Sequence, residues 1–260
     1  MPSADAQVAP SLLDHLPDDP SPDNLLLAFL EWTDGRGLEL YPHQEEAIVS
    51  MLSGDNVVLA TPTGSGKSLV ALAGAFAMVA QSKRAVYTAP IKALVSEKFF
   101  EMVDALGADN VGMVTGDAAV NAAAPVVVCT AEILANRALR EGANTDVDLV
   151  VMDEFHYYGD RDRGWAWQVP LLELSKPNFL LMSATLGDTA RLRADLSDRT
   201  GRETLLVANA ERPVPLDFAY RETTLLETIG DLLEEGKQPI YIVHFTQKEA
   251  IARAQSLTSL

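Results

Sequence analysis

One stretch constrains the fold of this chain more than any other: Ala60-Thr61-Pro62-Thr63-Gly64-Ser65-Gly66-Lys67-Ser68. It lies between a short apolar run, residues 56–59, and an amphipathic segment, residues 69–80. A strand, a glycine-bearing loop and a helix in this order are the context of a phosphate-binding P-loop. The spacing matches Gly-x-x-x-x-Gly-Lys-[Ser/Thr], except that Thr61 occupies the first glycine position. The alternative is an ordinary Gly/Ser/Thr turn before a surface helix.

The loop offers the groups that bind the phosphates of a nucleotide. Small residues inside it let successive backbone N–H groups converge on phosphate oxygens at a helix N-terminus. Lys67 is expected to reach the β- and γ-phosphates, and the hydroxyl of Ser68 to ligate Mg²⁺. The predicted phosphate contacts are Thr63, Gly64, Ser65, Gly66, Lys67 and Ser68.

A second candidate site lies at Val150-Val151-Met152-Asp153-Glu154-Phe155-His156. An acidic pair at the carboxyl end of a buried strand is where an α/β sheet binds its ligands. Asp153 is expected to hold Mg²⁺, and Glu154 to orient and deprotonate the water that attacks the γ-phosphate. The alternative is an acidic pair that caps the next segment, and the P-loop lysine upstream argues against it.

Composition limits the classes of protein. At 260 residues one or two domains are expected. The net charge of −17 predicts weak non-specific capture of nucleic acid, so any such binding has to use local contacts. No secretory signal and no membrane span are recognisable. A single cysteine, Cys129, favours a reducing cytosol, and Cys129, Trp165 and Trp167 are expected to be buried.

Short apolar runs alternate with helical patterns from residue 56 onward. This alternation predicts an α/β fold with a mostly parallel sheet and helices on both faces. Residues 1–22 hold five prolines among Ala, Ser and Asp, and are predicted to form a flexible acidic extension; the alternative is local order where Leu12-Leu13 and Leu16 find a surface. The predicted strands are 57–60, 85–89, 111–114, 126–129, 148–152, 179–183, 204–207, 214–219 and 240–243.

The order of these motifs resembles superfamily 2 helicases. After the P-loop come Asp153-Glu154-Phe155-His156, which looks like the DExH box, and Ser183-Ala184-Thr185. Further segments are similar to the superkiller-like group of DExH-box RNA helicases. These are Tyr87–Leu94, Thr115-Gly116-Asp117, Thr130-Ala131-Glu132 (with Ala131 as a departure), Asp160–Gly164 and Glu211–Leu216.

The resemblance implies a P-loop, RecA-like domain that binds ATP with Mg²⁺. Gln44 matches the glutamine that reads adenine, and Ser68 and Asp153 match the metal ligands. The implied catalytic residues are Lys67, Asp153, Glu154 and His156, with Ser183 and Thr185 as partners of His156. The implied contacts with a single strand of nucleic acid are Pro90, Lys92, Gly116, Thr130 and Glu132.

The resemblance also implies a domain organisation. Residues 23–220 match the first RecA-like domain, and residues 221–260 look like a connector and the truncated start of a second one. The second domain of such motors supplies arginines to the ATP site, and no Gln-x-x-Gly-Arg-x-x-Arg pattern occurs here. We therefore expect this chain to bind ATP with little turnover.

Three functional hypotheses follow. The first is the cytoplasmic ATP-binding motor domain of an ATP-dependent RNA helicase, with single-stranded RNA and the missing second RecA-like domain as partners. The second is a DNA helicase or translocase domain, because backbone contacts do not separate RNA from DNA. The third is a nucleotide-dependent binding or scaffold module.

Overall fold

A computed structural model describes residues 11–209 and 216–258. The chain divides into two compact units, Met1–Pro213 and Val214–Leu260. The resemblance segment Glu211–Leu216 lies, apart from its last residue, outside the described residues. Within the described ranges, no helix is long and apolar enough to cross a bilayer.

The first unit is built on a sheet that has eight strands in its described residues. Neighbouring strands run in the order β4-β3-β5-β2-β6-β7-β1-β8, and all pairs are parallel except β3 with β4. The predicted mostly parallel α/β sheet is thereby confirmed. The strands are β1 (Asn56–Ala60), β2 (Ala85–Ala89), β3 (Val111–Val114), β4 (Ala119–Val120), β5 (Val126–Thr130), β6 (Leu149–Met152), β7 (Asn178–Ser183) and β8 (Thr204–Val207).

Helices cover both faces of the sheet. Alternate residues of a strand point to opposite faces, so apolar residues along one strand pack against both layers of helices. In β1, Val57 and Leu59 belong to one buried cluster, and Val58 belongs to the other. The first layer contains α1 (Pro22–Gly35), α2 (Pro42–Leu52), α3 (Lys67–Ala80) and α4 (Lys92–Leu106). The second layer contains α5 (Ala131–Glu141), α6 (Trp165–Glu173) and α7 (Ala190–Thr200).

The topology brings the predicted motifs to one edge of the sheet. The carboxyl ends of parallel strands meet at the same edge, and ligands of α/β sheets bind there. The P-loop follows β1, the acidic pair follows β6, and Ser183 ends β7. The segments that resemble strand-contact motifs follow β2, β3 and β5, on the other half of the same edge.

The N-terminal segment differs from the predicted flexible extension over residues 1–22. Residues 12–15 form a turn of 3₁₀ helix in which Leu12 is fully buried. The hydroxyl of Ser11 donates to the carbonyl of Ala105 at 3.1 Å, so the segment docks at the end of α4. Burial of one leucine outweighs the proline-rich composition in this part, and residues 1–10 lie outside the described residues.

The second unit contains two helices in its described residues, α8 (Leu225–Glu234) and α9 (Gln247–Thr258). The predicted strand at 240–243 is wrong, and residues 216–219 of the predicted strand 214–219 form none either. Tyr241 and Val243 are 91% and 75% exposed. A strand needs a neighbour to pair its backbone groups, and the described part of this unit provides no such neighbour.

Two smaller expectations also need correction. The two-residue strand β4 was not predicted, because a pair of exposed residues carries no strand pattern. Of the two tryptophans expected in the core, Trp167 is fully buried, but Trp165 is 40% exposed at the start of α6. Residues two apart on a helix cannot both face the same core.

Cys129 is expected to be unreactive in the folded chain. The thiol is buried in β5, and burial raises its pKa to about 12, so very little of the reactive thiolate is present near neutral pH. Ellman's reagent at about pH 8 should leave native Cys129 unlabelled and label it fully in concentrated guanidinium chloride. Rapid labelling of the native chain would contradict the buried position.

Candidate active site

The P-loop has a backbone conformation that requires its glycines. Gly64 and Gly66 have φ angles of +84° and +75°, in the left-handed region that L-residues with a side chain rarely adopt. A Cβ on Gly66 would also collide with the side-chain amide nitrogen of Gln44. The loop leads from β1 into α3, whose N-cap is Gly66. Strand, loop and helix therefore follow one another as the sequence predicts.

Lys67 lies across this loop. Its Nζ donates to the carbonyl oxygens of Thr61 at 2.8 Å and Pro62 at 3.0 Å. Burial lowers the pKa of Lys67, while the negative charges of Asp153 and Glu154 act in the opposite direction. The lysine and the acidic pair therefore belong to one electrostatic site, although they are far apart in sequence.

Thr61, which occupies the first glycine position of the motif, forms a hydrogen bond inside the loop. Its hydroxyl forms a 2.7 Å hydrogen bond with the hydroxyl of Ser65, and both residues are buried. The side chain of Ser65 thus points inward, so its predicted role in phosphate binding depends on its backbone. The carbonyl of Ser65 lies 2.9 Å from Nε2 of His43, which must carry the hydrogen because a carbonyl only accepts.

Gln44 supports the loop from α2. Its Nε2 donates to the carbonyls of Ser65 at 3.2 Å and Gly66 at 2.9 Å, and its Oε1 accepts from the backbone N–H of Tyr41 at 2.8 Å. The residue is 1% exposed. The adenine contact of Gln44 stays a prediction, and it requires the amide to exchange at least one of these hydrogen bonds.

Tyr41, three residues before Gln44, has a partly exposed ring. Tyr41 is 44% exposed, and its ring stacks on His43 with centroids 5.6 Å apart. His43 itself is 6% exposed and contacts the P-loop. Sequence reasoning had assigned no role to His43, because a lone histidine at a helix start carries no pattern of its own.

Asp153 is held on three sides. Its Oδ2 accepts a 2.5 Å hydrogen bond from the hydroxyl of Tyr87, and its Oδ1 accepts from the backbone N–H of Glu154 at 2.8 Å. Its carbonyl accepts from Nε1 of Trp167 at 3.2 Å. Burial, followed by the charge of Asp153, raises the pKa of Tyr87 well above its ordinary value. The tyrosine therefore stays protonated and keeps donating to the carboxylate.

Glu154 and His156 form the exposed part of the acidic motif. Glu154 has a φ of +47°, a left-handed conformation that costs about 1–2 kcal/mol for a residue with a side chain. Nδ1 of His156 lies 3.2 Å from Oε2 of Glu154, and the two side chains are 43% and 40% exposed. A strained residue with an open carboxylate suits a group that must meet water and substrate.

The Ser-Ala-Thr segment forms a closed local turn. Oγ of Ser183 donates to the carbonyl of Thr185 at 3.1 Å and accepts from its backbone N–H at 3.3 Å. The expected pairing with His156 is therefore not the contact seen here, since His156 instead faces Glu154.

Lys98 is a site residue that sequence reasoning missed. Its Nζ donates to Oγ of Ser68 at 3.1 Å and to both carboxylate oxygens of Glu101, at 3.0 and 2.8 Å. Burial lowers the pKa of Lys98, but the hydrogen bond and charge of Glu101 outweigh it and raise the pKa overall. The only sequence signal was a Lys–Glu pair three residues apart on a predicted helix, which is common on helix surfaces.

The donor atoms fit a phosphate–magnesium group. The hydroxyl of Ser68 and the carboxylate of Asp153 are hard oxygen ligands, and Mg²⁺ is usually bound by one or two protein oxygens together with substrate phosphates. Gly64 leaves open space at the tip of the loop, and Thr63 and Gly64 are exposed there. The residues present are therefore those that such a group needs.

Replacing Tyr87 with phenylalanine is expected to destabilise the domain. It removes the donor to Oδ2 of Asp153 and leaves a partly buried carboxylate oxygen unpaired, at a cost of about 1–2 kcal/mol. Urea denaturation measures the change, and Tyr158→Phe, at an exposed tyrosine of the same unit, serves as the control. Equal stability of the two variants would contradict this role.

Fold and site together define a P-loop nucleotide-binding domain of the RecA-like kind. Within this class, residues 41–192 match the DEAD/DEAH box helicase family, and the chain belongs to that family. The resemblance stated from the motifs is thereby confirmed.

Individual relatives agree with this membership. The chloroplastic DExH-box ATP-dependent RNA helicase DExH15 of Arabidopsis thaliana is 38% identical over 185 residues, covering 68% of this chain and 16% of the relative. The antiviral helicase SKI2 of Saccharomyces cerevisiae is 35% identical over 184 residues, covering 69% and 14%. The probable helicase HelY of Mycobacterium tuberculosis is 34% identical over 175 residues, covering 66% and 19%. The matched region thus spans less than a fifth of each relative.

Solved structures agree on the fold. The DUF1998 helicase MrfA bound to DNA has a TM-score of 0.54 and 27% identity, covering 74% of this chain and 30% of that one. The Hef helicase domain of Pyrococcus furiosus has a TM-score of 0.51 and 23% identity, covering 68% and 39%.

Proposed function

We propose that this chain is the ATP-binding motor domain of an ATP-dependent helicase that acts on RNA. The observation that carries the proposal is that the strand order places the loop of Lys67, after β1, and the acidic pair Asp153-Glu154, after β6, at the same edge of the sheet. A cation on a phosphate-binding loop opposite an acidic pair is the arrangement that nucleotide hydrolysis requires.

Each residue has a role at this site. Lys67 would exchange its two carbonyl partners for phosphate oxygens, and Ser68 and Asp153 would hold Mg²⁺. Mg²⁺ supplies positive charge that offsets the charge of the phosphates. Glu154 orients the attacking water and takes its proton, and His156 holds the carboxylate of Glu154 in place.

The second half of the sheet edge is proposed to contact a single strand of nucleic acid. Two helices begin there, α4 at Lys92 after β2 and α5 at Ala131 after β5. Helix N-termini bind phosphates through backbone N–H groups, which needs little net positive charge. Lys92 forms an exposed 2.7 Å ion pair with Asp117, so its amine is held at this edge. This local arrangement reconciles strand binding with the net charge of −17.

RNA is the first candidate strand. DExH15 is named as an ATP-dependent RNA helicase, whereas MrfA was solved with DNA. Both classes share phosphate contacts, so discrimination depends on contacts with the 2′-hydroxyl.

The proposal extends to the domain organisation. Residues 23–220 form the first RecA-like domain, and residues 221–260 are the connector and the start of a second one. Arginines of a second domain accelerate phosphoryl transfer by about 10³–10⁵ in related motors. We therefore propose that this chain alone binds ATP with Mg²⁺ and turns it over slowly.

A binding experiment tests the proposal. Fluorescence anisotropy compares labelled single-stranded RNA and DNA of the same sequence, each with and without a non-hydrolysable ATP analogue and Mg²⁺. Tighter binding of RNA supports the proposal, and tighter binding of DNA moves the chain to the DNA class. Failure to bind the ATP analogue, or failure to bind either strand, would refute the motor function.

A further inference from the structure

Arg163 ties together three segments at the carboxyl edge of the sheet. Its Nε and Nη2 donate to Oε1 of Glu132 at 3.0 and 2.6 Å, and Nη2 also donates to the carbonyl of Pro90 at 2.5 Å. Pro90 follows β2, Glu132 follows β5, and Arg163 lies in the loop after β6. These strands are neighbours in the order β5-β2-β6. One guanidinium thus spans the half of the edge proposed for strand binding.

The guanidinium also contacts the rings behind the acidic motif. Its central carbon lies 5.6 Å from the ring centroid of Tyr157 and 5.7 Å from that of Trp167. These two rings stack with centroids 5.2 Å apart, and Trp167 is fully buried. A cation over aromatic faces is held by electrostatic attraction as well as by packing.

The residues that carry these rings contact in turn the backbone of the acidic pair. Nε1 of Trp167 donates to the carbonyl of Asp153 at 3.2 Å, and the backbone N–H of Tyr157 donates to the carbonyl of Glu154 at 3.0 Å. The ring of His156 lies 4.8 Å from that of Tyr157, and its Nδ1 faces Glu154. Contacts therefore run without a gap from Pro90 and Glu132 to Asp153 and Glu154.

The loop that carries Arg163 is built to hold its position. Oδ1 of Asp160 accepts the backbone N–H groups of Asp162 at 2.9 Å and Arg163 at 2.7 Å. A Cβ on Gly164 would collide with the carbonyls of Asp160 and Tyr158, so only glycine fits there. Because the backbone of this loop is fixed, a change in the partners of the guanidinium moves the Arg163 side chain and not the loop.

We propose that Arg163 is the positioning residue that couples strand binding at the Pro90–Glu132 edge to the placement of Asp153 and Glu154. A phosphate that reaches this edge competes with Glu132 for the guanidinium. A shift of the guanidinium changes its packing on Tyr157 and Trp167, and these residues hold the backbone of the acidic pair. The inference rests on the proposed function, because it needs both ATP and a strand as ligands.

The guanidinium, not the charge alone, carries this coupling. Its planar fork donates to Glu132 and Pro90 together while its face lies against the rings, and a lysine ammonium cannot do both. Arg163→Lys therefore keeps the positive charge but removes the planar group that donates to both partners. Arg161, an exposed arginine of the same loop, offers a matched control in Arg161→Lys.

The test measures the coupling between two ligands. Dissociation constants of single-stranded RNA are measured with and without the ATP analogue and Mg²⁺, and those of the analogue with and without RNA. The two ratios must be equal, since coupling is reciprocal, and the factor expected for the unaltered chain is roughly 5–150. Arg163→Lys should bring the factor close to one, while Arg161→Lys keeps the original factor; melting curves check that each variant is folded at the temperature of the titration.

Other outcomes separate this inference from the proposed function. An unchanged coupling factor in Arg163→Lys, or independent binding of the two ligands in the unaltered chain, overturns the coupling role and leaves the motor function standing. Failure of the unaltered chain to bind any strand overturns both. Should Arg163→Lys fold poorly, Glu132→Gln removes the partner's charge instead, and it should reduce the same factor.

Discussion

Replacing Lys67 with alanine is expected to weaken ATP binding by at least about 100-fold. The substitution removes the ammonium group that is expected to donate to the phosphate oxygens, at an edge of the sheet that also carries the acidic pair Asp153-Glu154. Two charge-assisted hydrogen bonds of about 1.5 kcal/mol each correspond to a factor of roughly 10² in the dissociation constant. Titration of a fluorescent ATP analogue in the presence of Mg²⁺ measures the change.

Lys83 supplies the control for this substitution. It is an exposed lysine just beyond the other end of α3, so Lys83→Ala removes the same charge from the chain without altering the P-loop. The affinity of the Lys83→Ala variant for the ATP analogue should stay within about twofold of that of the unaltered chain, as is typical of surface substitutions. Similar losses in both variants would mean that net charge, rather than the P-loop lysine, governs binding.

Replacing Glu154 with glutamine is expected to abolish hydrolysis without abolishing ATP binding. Glutamine keeps the size of the side chain and an oxygen that can accept from Nδ1 of His156, but it cannot take a proton from water. Loss of a general base lowers the rate by about 10²–10⁴. Single-turnover hydrolysis of radiolabelled ATP, with the chain in excess and RNA present, measures the rate.

The binding measurement distinguishes a lost base from a damaged site. Glu154→Gln should bind the ATP analogue within a few-fold of the original affinity, and Glu173→Gln, at the exposed end of α6, should affect neither binding nor rate. A rate reduced less than tenfold in Glu154→Gln would place the general base elsewhere. Weaker ATP binding by Glu154→Gln would point to a structural role of the carboxylate.

Local sequence rules predicted the P-loop and the sheet. Gly64 and Gly66 stand where the loop needs positive φ angles, and a lysine directly after the second glycine opens the helix. Strands of nearly continuous apolar residues, such as β6, can only lie in a sheet covered on both faces. The acidic pair at the end of β6 was predictable because parallel strands place their carboxyl ends at the binding edge.

Local sequence rules did not predict the structure where it depends on a contact with a segment that is distant in sequence. The apolar run at 240–243 looks like a strand, but a strand forms only beside another strand. For the proline-rich start, composition left flexibility and local order at its leucines open, and only the structure shows Leu12 buried against the first helical layer. The inward turn of the Ser65 hydroxyl to Thr61 could not be read from the sequence either, and the predicted phosphate contact of Ser65 through its backbone stays a prediction.

The sequence alone determined the class of fold, the P-loop motif and the acidic pair at the same edge of the sheet, because each depends on spacing within a few residues. Only the tertiary structure showed that Tyr87 holds Asp153, that Lys98 meets Ser68 and that Arg163 joins Glu132. The partners in each contact are between thirty and about seventy residues apart in the chain. Hydrogen bonds across such separations depend on which strands become neighbours and which helix face turns inward, and no local spacing encodes that choice.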